Sequence, residues 1–483
     1  MRNRLLVGLL LLFCLAHGPG WSQTTTPDML ENAITSVVTV GVYQTDVLNK
    51  VYGFRGGLNI PEKAYEKALD LTGTEWTGSG FLYEYKGKKY AITNAHVIEN
   101  ASAEDSSVFV FMYDRSKHMV KVLGADSFYD IAVLEFAQAP GTAYPAMAFK
   151  QEPARLGEPV YAIGNPLGEF PYSVSEGIIS GKNRVRGSFK GKFGFLQSTA
   201  TIIWGNSGGP LVDQKGKVAG INSQIEITSN GYIQPQINFA LEAGLSERLV
   251  RELIDNRGRV VRTYLGVGLA QQYDGYSAMT YPVYLSQVVE NSPAANELIK
   301  YIGSPLTHIN GEAIASVEQA LGILEAIKPG RPVEFTLQVF GEVRKVSVTG
   351  RQLDDAALSS LASHVLRQSQ FFSFDQDAPQ AIVRYNHRTT LAMQDNLMVI
   401  KPTGNTESAT YQVVAAGISS PDNNTDFYKV VTMAELGSAI RLSSLSGALD
   451  LAVVRTDDEF QNVVNFRFFF SGDENIVMST LFY

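Results

Sequence analysis

Short apolar runs separated by turn residues recur along the first half of the chain. Gly, Pro, Asn and Asp interrupt runs rich in Val, Ile and aromatic residues about every 8 to 12 residues. Such spacing is typical of antiparallel sandwiches and barrels, whereas βαβ folds place a helical segment between successive strands. The predicted strands are residues 33–43, 77–83, 90–97, 108–113, 120–123, 130–136, 159–163, 175–181, 193–199, 217–225 and 237–241. The pattern therefore predicts antiparallel β-barrels.

A serine flanked by glycines interrupts this strand pattern. Gly205-Asn206-Ser207-Gly208-Gly209 precedes the apolar run Pro210–Val212. Acyl-transfer chemistry needs a hydroxyl on a sharp turn, with backbone N–H groups free to face a developing oxyanion. Glycine permits both the turn and the close backbone approach. A plain Gly/Asn/Ser turn between two strands is the alternative interpretation.

A histidine and an aspartate precede this serine in the chain. His96 lies near the end of one predicted strand, and Asp130 begins another. A serine hydroxyl is a weak nucleophile unless a base takes its proton and a third group orients the base. The order His, Asp, Ser is that of double-barrel serine proteases and differs from the order in α/β-hydrolase esterases. Asp126 is the nearest rival of Asp130, but it lies before the apolar run.

Four motifs resemble those of trypsin-like serine proteases of the high-temperature-requirement (HtrA/Deg) family. They are Thr93-Asn94-Ala95-His96-Val97, Asp130-Ile131-Ala132-Val133-Leu134, Gly164-Asn165-Pro166-Leu167-Gly168 and Gly205-Asn206-Ser207-Gly208-Gly209-Pro210. The resemblance implies a chymotrypsin-like double β-barrel with Ser207 as nucleophile, His96 as general base and acid, and Asp130 orienting His96. The N–H groups of Gly205 and Ser207 would form the oxyanion hole. It further implies a serine endopeptidase that cleaves unfolded or damaged proteins.

Residues 264–349 resemble the PDZ domain of the same family, with Tyr264-Leu265-Gly266-Val267 at its carboxylate-binding loop. A PDZ groove adds a peptide strand to a sheet edge while backbone N–H groups capture the terminal carboxylate. The resemblance therefore implies binding of peptide C-termini, for peptide sensing or substrate tethering. A β-turn in an unrelated sandwich is the alternative. Leu481-Phe482-Tyr483 is apolar, and we expect a strand end there rather than a segment docked in this groove.

The sequence divides into four predicted segments. They are a signal peptide at 1–22, a trypsin-like protease domain at 23–257, a PDZ domain at 258–350, and a C-terminal α+β domain of unassigned fold and unknown function at 351–483. Helices are predicted at residues 62–71, 242–255, 317–327 and 356–367. Arg2 and Arg4 precede the apolar run Leu5–Leu15, which is shorter than the roughly 20 residues that span a bilayer. We expect export to the periplasm or the exterior, with no transmembrane segment in the mature chain.

Composition limits the expected partners. A net charge of −8, without a basic run in the mature part, gives no reason to expect nucleic acid as a partner. The single cysteine, Cys14, lies in the predicted signal peptide, and the six histidines are scattered, so we expect no metal and no other cofactor. Members of the family commonly form trimers through N-terminal segments, which here would be residues 24–45.

Three positions depart from the family's usual pattern. Thr199, Ile203 and Trp204 stand where Asp, Asn and Pro are usual, just before the oxyanion turn. Proline fixes φ, whereas tryptophan leaves the backbone freer and carries a large apolar surface. We expect Trp204 either to pack in the second barrel or line the specificity pocket, or to be covered by a loop whose position sets the activity. A peptide-binding or chaperone-like protein with a weak or inactive protease domain is the alternative function, and the presence of His96, Asp130 and Ser207 argues against it.

Overall fold

The computed structural model describes the greater part of the chain beyond residue 24. The described residues are 25–43, 74–98, 101, 108–126, 128–141, 144–166, 170–185, 189–190, 194–227, 233–273, 281–368, 372–375, 382–385, 389–394, 397–402, 411–419, 425–430, 432–444, 447–455, 463–470 and 477–483. Within these ranges no helix is both long and apolar enough to cross a membrane. The predicted signal peptide and the predicted helix at 62–71 lie outside the described residues.

The first unit is a closed antiparallel barrel preceded by a helix, α1 (Thr26–Ile34). Its six strands are β1 (Val37–Tyr43), β2 (Thr74–Tyr85), β3 (Lys88–Thr93), β4 (Val108–Phe111), β5 (Lys117–Asp126) and β6 (Ile131–Phe136). They pair in the closed order β1-β2-β3-β6-β5-β4. Val38, Val40 and Val42 alternate along β1 and are buried in one apolar cluster of this barrel. This is the period of two that the sequence displays.

The second unit is also a barrel. Its strands are β7 (Pro159–Gly164), β8 (Ser173–Val185), β9 (Phe189–Lys190), β10 (Phe195–Ser198), β11 (Pro210–Asp213), β12 (Val218–Ile227) and β13 (Ile233–Glu242). The order is β10-β13-β12-β11-β7-β8-β9, and an additional pairing of β10 with β8 closes six of the strands on themselves. Helix α2 (Ala243–Asp255) follows and buries Leu249, Val250 and Leu253.

The third unit contains three small sheets. Its elements are β14 (Thr263–Tyr264), β15 (Val267–Tyr273), β16 (Tyr284–Val288), α3 (Ala295–Leu298), β17 (Leu306–Ile309), β18 (Glu312–Ala313), α4 (Val317–Leu324), β19 (Pro332–Val339), β20 (Glu342–Thr349) and β21 (Arg351–Gln352). Strands β18-β17-β19-β20 form one sheet, and β14 pairs with β21. The third sheet has the order β16-β15-β30, in which β30 (Val477–Phe482) is the last described strand.

The C-terminal unit is an antiparallel sheet with two helices. Its elements are α5 (Asp355–Gln368), β22 (Phe372–Asp375), β23 (Ile382–Tyr385), β24 (Thr389–Gln394), β25 (Leu397–Pro402), β26 (Tyr411–Ser419), β27 (Thr425–Lys429), α6 (Met433–Ser443), β28 (Ala448–Arg455), β29 (Val463–Phe469) and β30 (Val477–Phe482). The sheet order is β22-β23-β24-β25-β26-β28-β29, and β27 also pairs with β26. Strand β30 belongs to the third unit's sheet instead.

The mainly β fold with two barrels is confirmed, and two local expectations are corrected. The strand predicted at 33–43 begins only at Val37, because a capping box between Thr25 and Asp28 and an early proline favour helix α1. Leu481-Phe482-Tyr483 does end a strand, but the expectation that it does not dock beside the Tyr264–Val267 loop is wrong. Strand β30 pairs along the whole of β15, which begins directly after that loop.

Candidate active site

Three loops at the junction of the two barrels carry the predicted catalytic residues. His96 begins a short 3-10 helix (His96–Ile98) directly after β3, and Asp130 immediately precedes β6. Ser207 lies between β10 and β11 of the second barrel. Ser223 of β12 connects the two sides, because its Oγ donates to Asp130 Oδ2 at 2.6 Å while its carbonyl faces Ser207 Oγ at 3.5 Å. The structure therefore places Asp130 in contact with His96 and links Asp130 to Ser207 through Ser223.

The Asp130 carboxylate is buried and receives several donors. His96 Nδ1 lies 2.8 Å from Oδ2 and 2.9 Å from Oδ1, and the His96 backbone N–H donates to Oδ1 at 3.0 Å. A carboxylate only accepts, so Nδ1 carries the proton in this contact. The other ring nitrogen of a neutral His96 then keeps its lone pair, which is the tautomer that a general base requires.

Asp130 has an unusual backbone conformation. Its φ is +58°, in the left-handed region that few residues other than glycine adopt. The side chain of Asn94 donates from Nδ2 to the Asp130 carbonyl at 2.6 Å, and both residues are buried. Asn94 thus holds the turn that aims the carboxylate at His96.

The Ser207 turn combines a glycine of positive φ with two backbone N–H groups that have no acceptor among the described residues. Gly205 has φ of +95°, where a side chain would add strain. The N–H of Asn206 donates to the Ile203 carbonyl at 3.1 Å, which closes the preceding turn. By contrast, the N–H groups of Gly205 and Ser207 donate to no other residue in the described ranges. The turn therefore presents two N–H groups, one on each side of Asn206.

Ser79 of β2 fixes this turn from across the barrel junction. Its Oγ donates to the Gly205 carbonyl at 2.7 Å and accepts the Asn165 N–H at 2.8 Å. Its backbone N–H donates to the Ser207 carbonyl at 2.8 Å, while Thr93 Oγ1 donates to the Ser79 carbonyl at 2.7 Å. Ser79 is fully buried. One residue of the first barrel therefore holds both ends of the Gly205–Ser207 segment.

Comparison with known proteins places this site in a family. The family described as "Trypsin-like peptidase domain" matches residues 78–221, a span that includes His96, Asp130 and Ser207. The "Probable periplasmic serine endoprotease DegP-like" of Ectopseudomonas mendocina is 30% identical over 375 residues, which cover 72% of this chain and 76% of that protein. The chain belongs to the HtrA/Deg family of serine endoproteases.

Other relatives agree with this assignment. "Serine endoprotease DegS" of Haemophilus influenzae is 33% identical over 274 residues, covering 56% of this chain and 76% of the relative. "Serine protease Do-like HtrB" of Bacillus subtilis is 31% identical over 352 residues, covering 68% and 72%. The solved structure titled "HtrA-type protease AlgW with decapeptide" aligns with a TM-score of 0.51 at 22% identity, covering 68% of this chain and 99% of that one, and supports the fold. This HtrA/Deg protein is thus a serine endopeptidase.

Sequence reasoning missed three residues that support the protease site. Ser79, Asn94 and Ser223 each form a hydrogen bond with a predicted triad residue or its loop, although neither serine lies in the segment it supports. Gly78-Ser79-Gly80 was visible only as part of a hairpin strand. The sequence signal for Asn94 was its place two residues before His96.

Two of the expectations for Trp204 are wrong. Its side chain is 50% exposed, so it neither packs inside the second barrel nor lies under a covering loop. A latent state that depends on such a cover loses its basis, while a role in lining the specificity pocket stays a prediction. Thr199 instead serves the barrel, because its Oγ1 accepts the Ile178 N–H at 2.9 Å.

The loop predicted to capture peptides presents two backbone N–H groups. The N–H groups of Gly266 and Val267 donate to the same oxygen of Tyr483, at 2.7 and 2.9 Å. Gly266 has φ of +80°, and an added Cβ would lie 2.0 Å from Ser292 Cβ, so the position requires glycine. Tyr264 and Leu265 are buried core residues.

In the described ranges, no group of three His, Cys, Asp or Glu side chains is placed to hold a metal.

Proposed function

We propose that Ser207, His96 and Asp130 form the catalytic triad of this endopeptidase. The observation that carries the proposal is the buried Asp130 carboxylate, which holds His96 Nδ1 at 2.8 Å and is linked to the Ser207 loop through Ser223. Ser207 Oγ attacks the scissile carbonyl carbon while the second nitrogen of His96 takes the hydroxyl proton. Asp130 stabilises the imidazolium that results and remains ionised.

The N–H groups of Gly205 and Ser207 bind the oxyanion of the tetrahedral intermediate. Preorganised donors of this kind act where charge develops, so they stabilise the transition state more than the bound substrate. Collapse of the intermediate breaks the C–N bond, and His96 returns its proton to the leaving amine. Water then attacks the acyl-Ser207 ester while His96 takes a proton from it. The ester C–O bond breaks, His96 returns the proton to Ser207 Oγ, and the acid product leaves.

The proposed substrates are unfolded or damaged proteins outside the cytoplasm. Relatives named periplasmic serine endoproteases support an exported location, with residues 1–22 as the signal peptide. We place the protease domain at 23–257, a PDZ domain at 258–350 and a further domain at 351–483. Residues 24–45 are the proposed contact of a homotrimer.

The proposed PDZ domain binds peptide C-termini. Its support is the pair of N–H groups of Gly266 and Val267 that converge on one backbone oxygen. Strand β15 lies beside them, and helix α4 packs near the edge of β15 that pairs with β30. An extended peptide would pair with this same edge in place of β30.

The triad is tested by cleavage of one substrate protein in native and in reduced, alkylated form. The wild-type chain should cleave the unfolded form, and Ser207→Ala should lower the rate by several orders of magnitude without unfolding the protein. A fluorophosphonate probe should label Ser207 alone. EDTA should leave the rate unchanged, because the triad mechanism uses no metal. A folded wild-type chain that cleaves neither form, or cleavage that survives Ser207→Ala, would overturn the assignment.

A further inference from the structure

The chain places its own last strand where a peptide ligand of the third unit would lie. Strand β30 runs antiparallel to β15, from Phe482 opposite Gly268 to Val477 opposite Tyr273. Tyr483 continues the ladder, because its N–H donates to the Val267 carbonyl at 2.9 Å and its oxygen receives the N–H groups of Gly266 and Val267. No other strand in the described part of the chain pairs with this edge of β15. We call the space between β15 and α4 the strand groove.

Side chains of this segment alternate between two environments. Leu481 and Tyr483 join the buried apolar cluster that includes Leu269 and Leu321 of the third unit. Phe482, between them, points away from the groove and packs edge-on against Phe470, with ring centroids 6.0 Å apart. The relative exposures of Leu481, Phe482 and Tyr483 are 1%, 0% and 3%. The strand groove is therefore filled, and its occupant is covered from outside by the C-terminal unit.

Arg441 of α6 contacts the end of β30 that fills the strand groove. Its Nε donates to the Phe482 carbonyl at 3.2 Å, and its guanidinium lies 5.1 Å from the centroid of the Tyr483 ring. Its Nη2 donates to Glu325 Oε1 at 3.3 Å, just beyond the end of α4. A buried arginine that bonds a carboxylate and stacks on an aromatic ring gains from both contacts. Arg441 therefore ties the last strand to the wall of the strand groove.

The same carboxylate belongs to a buried charge cluster that reaches the protease barrel. Arg262 Nε donates to Glu325 Oε1 at 3.0 Å. Its Nη1 and Nη2 donate to Oδ1 and Oδ2 of Asp126, each at 2.7 Å. Asp126 is the last residue of β5, and the segment that follows it leads to Asp130. Burial alone would raise the pKa of Asp126, but the Arg262 guanidinium outweighs it and holds that pKa below its usual range. Two guanidinium and two carboxylate groups thus meet where three units join.

We propose that residues Val477–Tyr483 are the resident ligand of the strand groove and must leave it before a peptide from outside can bind. This inference rests on the proposed peptide-binding role of the groove. A tethered ligand has an effective concentration of about 1 mM. If both ligands bind with an intrinsic Kd on the order of 10 µM, the tether weakens binding of the outside peptide by about 100-fold.

The experiment measures fluorescence anisotropy of a labelled peptide with the sequence of residues 477–483. All proteins are the full chain carrying Ser207→Ala, so that the probe is not cleaved, and this single variant is the parent. A release variant adds Leu481→Asp and Tyr483→Asp, which spoil the fit of β30 but leave the groove residues unchanged. The same two substitutions in the peptide give the control probe. The release variant should bind the probe about 100-fold more tightly than the parent, and neither protein should bind the control probe.

A second variant locks the strand in place. Val267 and Tyr483 exchange both N–H···O bonds, so Gln272 and Met478 face each other as a non-hydrogen-bonded pair. That geometry brings side chains close enough for a disulfide between Gln272→Cys and Met478→Cys, with Cys14→Ser removing the native thiol. The oxidised protein should bind no probe, and reduction should restore the parent's affinity.

A third variant tests the fastening without touching β30. Arg441→Gln should speed hydrogen–deuterium exchange of the amides of residues 477–483 over the parent, because Phe482 loses its donor while Glu325 keeps Arg262 as its partner. The probe would lose the same donor as β30, so its affinity should change little. Arg344→Gln breaks an exposed pair with Glu342 in the third unit and should leave both exchange and binding unchanged.

The outcomes separate this inference from the proposed function. Equal binding by parent, release variant and oxidised protein would show that β30 does not compete, and peptide binding would stand without self-occupancy. A folded release variant that binds nothing would remove both the inference and the groove's peptide role, while the triad is judged separately by the cleavage assay. If the release variant does not fold, the oxidised and reduced forms decide alone, and equal binding by the two overturns the inference.

Discussion

Removal of the Ser79 hydroxyl isolates the contribution of the barrel junction to catalysis. Ser79→Ala leaves the Gly205 carbonyl and the Asn165 N–H without the partner that now lies 2.7 and 2.8 Å away. Ser79 and Asn165 are almost completely buried, so water does not readily replace the hydroxyl. An unpaired buried polar group costs about 1–3 kcal/mol.

That cost falls on the turn that presents the oxyanion donors. Rotation of the Gly205 carbonyl toward solvent would relieve it. This rotation turns the whole Gly205–Asn206 peptide plane, breaks the bond from the Asn206 N–H to the Ile203 carbonyl and thereby shifts the flanking N–H groups of Gly205 and Ser207. A bias of about 1–3 kcal/mol against the competent turn corresponds to a loss of about 5- to 150-fold in kcat/KM. Complete removal of one oxyanion donor lowers kcat about 100- to 1,000-fold, and this is the upper bound for the effect of Ser79→Ala.

The assay is steady-state cleavage of a quenched fluorescent peptide, together with urea unfolding. We expect kcat to fall while KM and the pH profile change little, because substrate binding and His96 are untouched. Ser180→Ala is the matched control, since the Ser180 hydroxyl is buried and has no hydrogen-bond partner among the described residues. A kcat/KM of Ser79→Ala within twofold of wild type, or an equal loss in Ser180→Ala, would refute the reasoning.

Four further outcomes are expected. Ser223→Ala should lower kcat about tenfold or more by removing a bond to the catalytic carboxylate, and Ser223→Thr should restore part of it; unchanged kcat in the alanine variant would contradict this. Cleavage should rise with pH as His96 deprotonates, and a flat profile from about pH 5 to 8 would count against a histidine base. Arg262→Met should cost about 3–5 kcal/mol in urea unfolding, whereas Lys345→Met, in an exposed pair, should cost less than about 1 kcal/mol. Because the folded pKa of Asp126 is lowered, stability should fall as pH drops below about 4 through that pKa, and Asp126→Asn should flatten this part of the profile.

The sequence predicted the parts of the site that depend on local chemistry. His96, Asp130 and Ser207 each sit in a short motif whose residue types the chemistry demands, so each was recognisable without its partners. The barrels were predictable for a similar reason, because alternating burial leaves a period of two in each strand. Ser79 and Ser223 were not, since their roles come from contacts 126 and 93 residues away in the chain.

The position of β30 could not be read from its own residues. An apolar run such as Leu481-Phe482-Tyr483 predicts a strand, but the identity of its neighbour depends on pairing across the chain. Arg441, Glu325 and Arg262 are ordinary charged residues in sequence, and only the fold shows that they are buried together. Likewise, packing in the second barrel or cover by a loop was expected for Trp204 beside a place in the specificity pocket, yet the structure leaves half of its surface in water.

Pairing of Gly268 with Phe482 also sets an order of events during folding. Strand β30 follows every other described element in the chain, so the sheet β16-β15-β30 is completed after all of them have been synthesised. Contacts between residues so far apart form slowly, because a long loop must close first. A chain whose synthesis has not reached β30, or one cut between β15 and β30, would therefore lack the strand that fills the strand groove. Occupancy of that groove thus depends on an unbroken chain between Gly268 and Phe482.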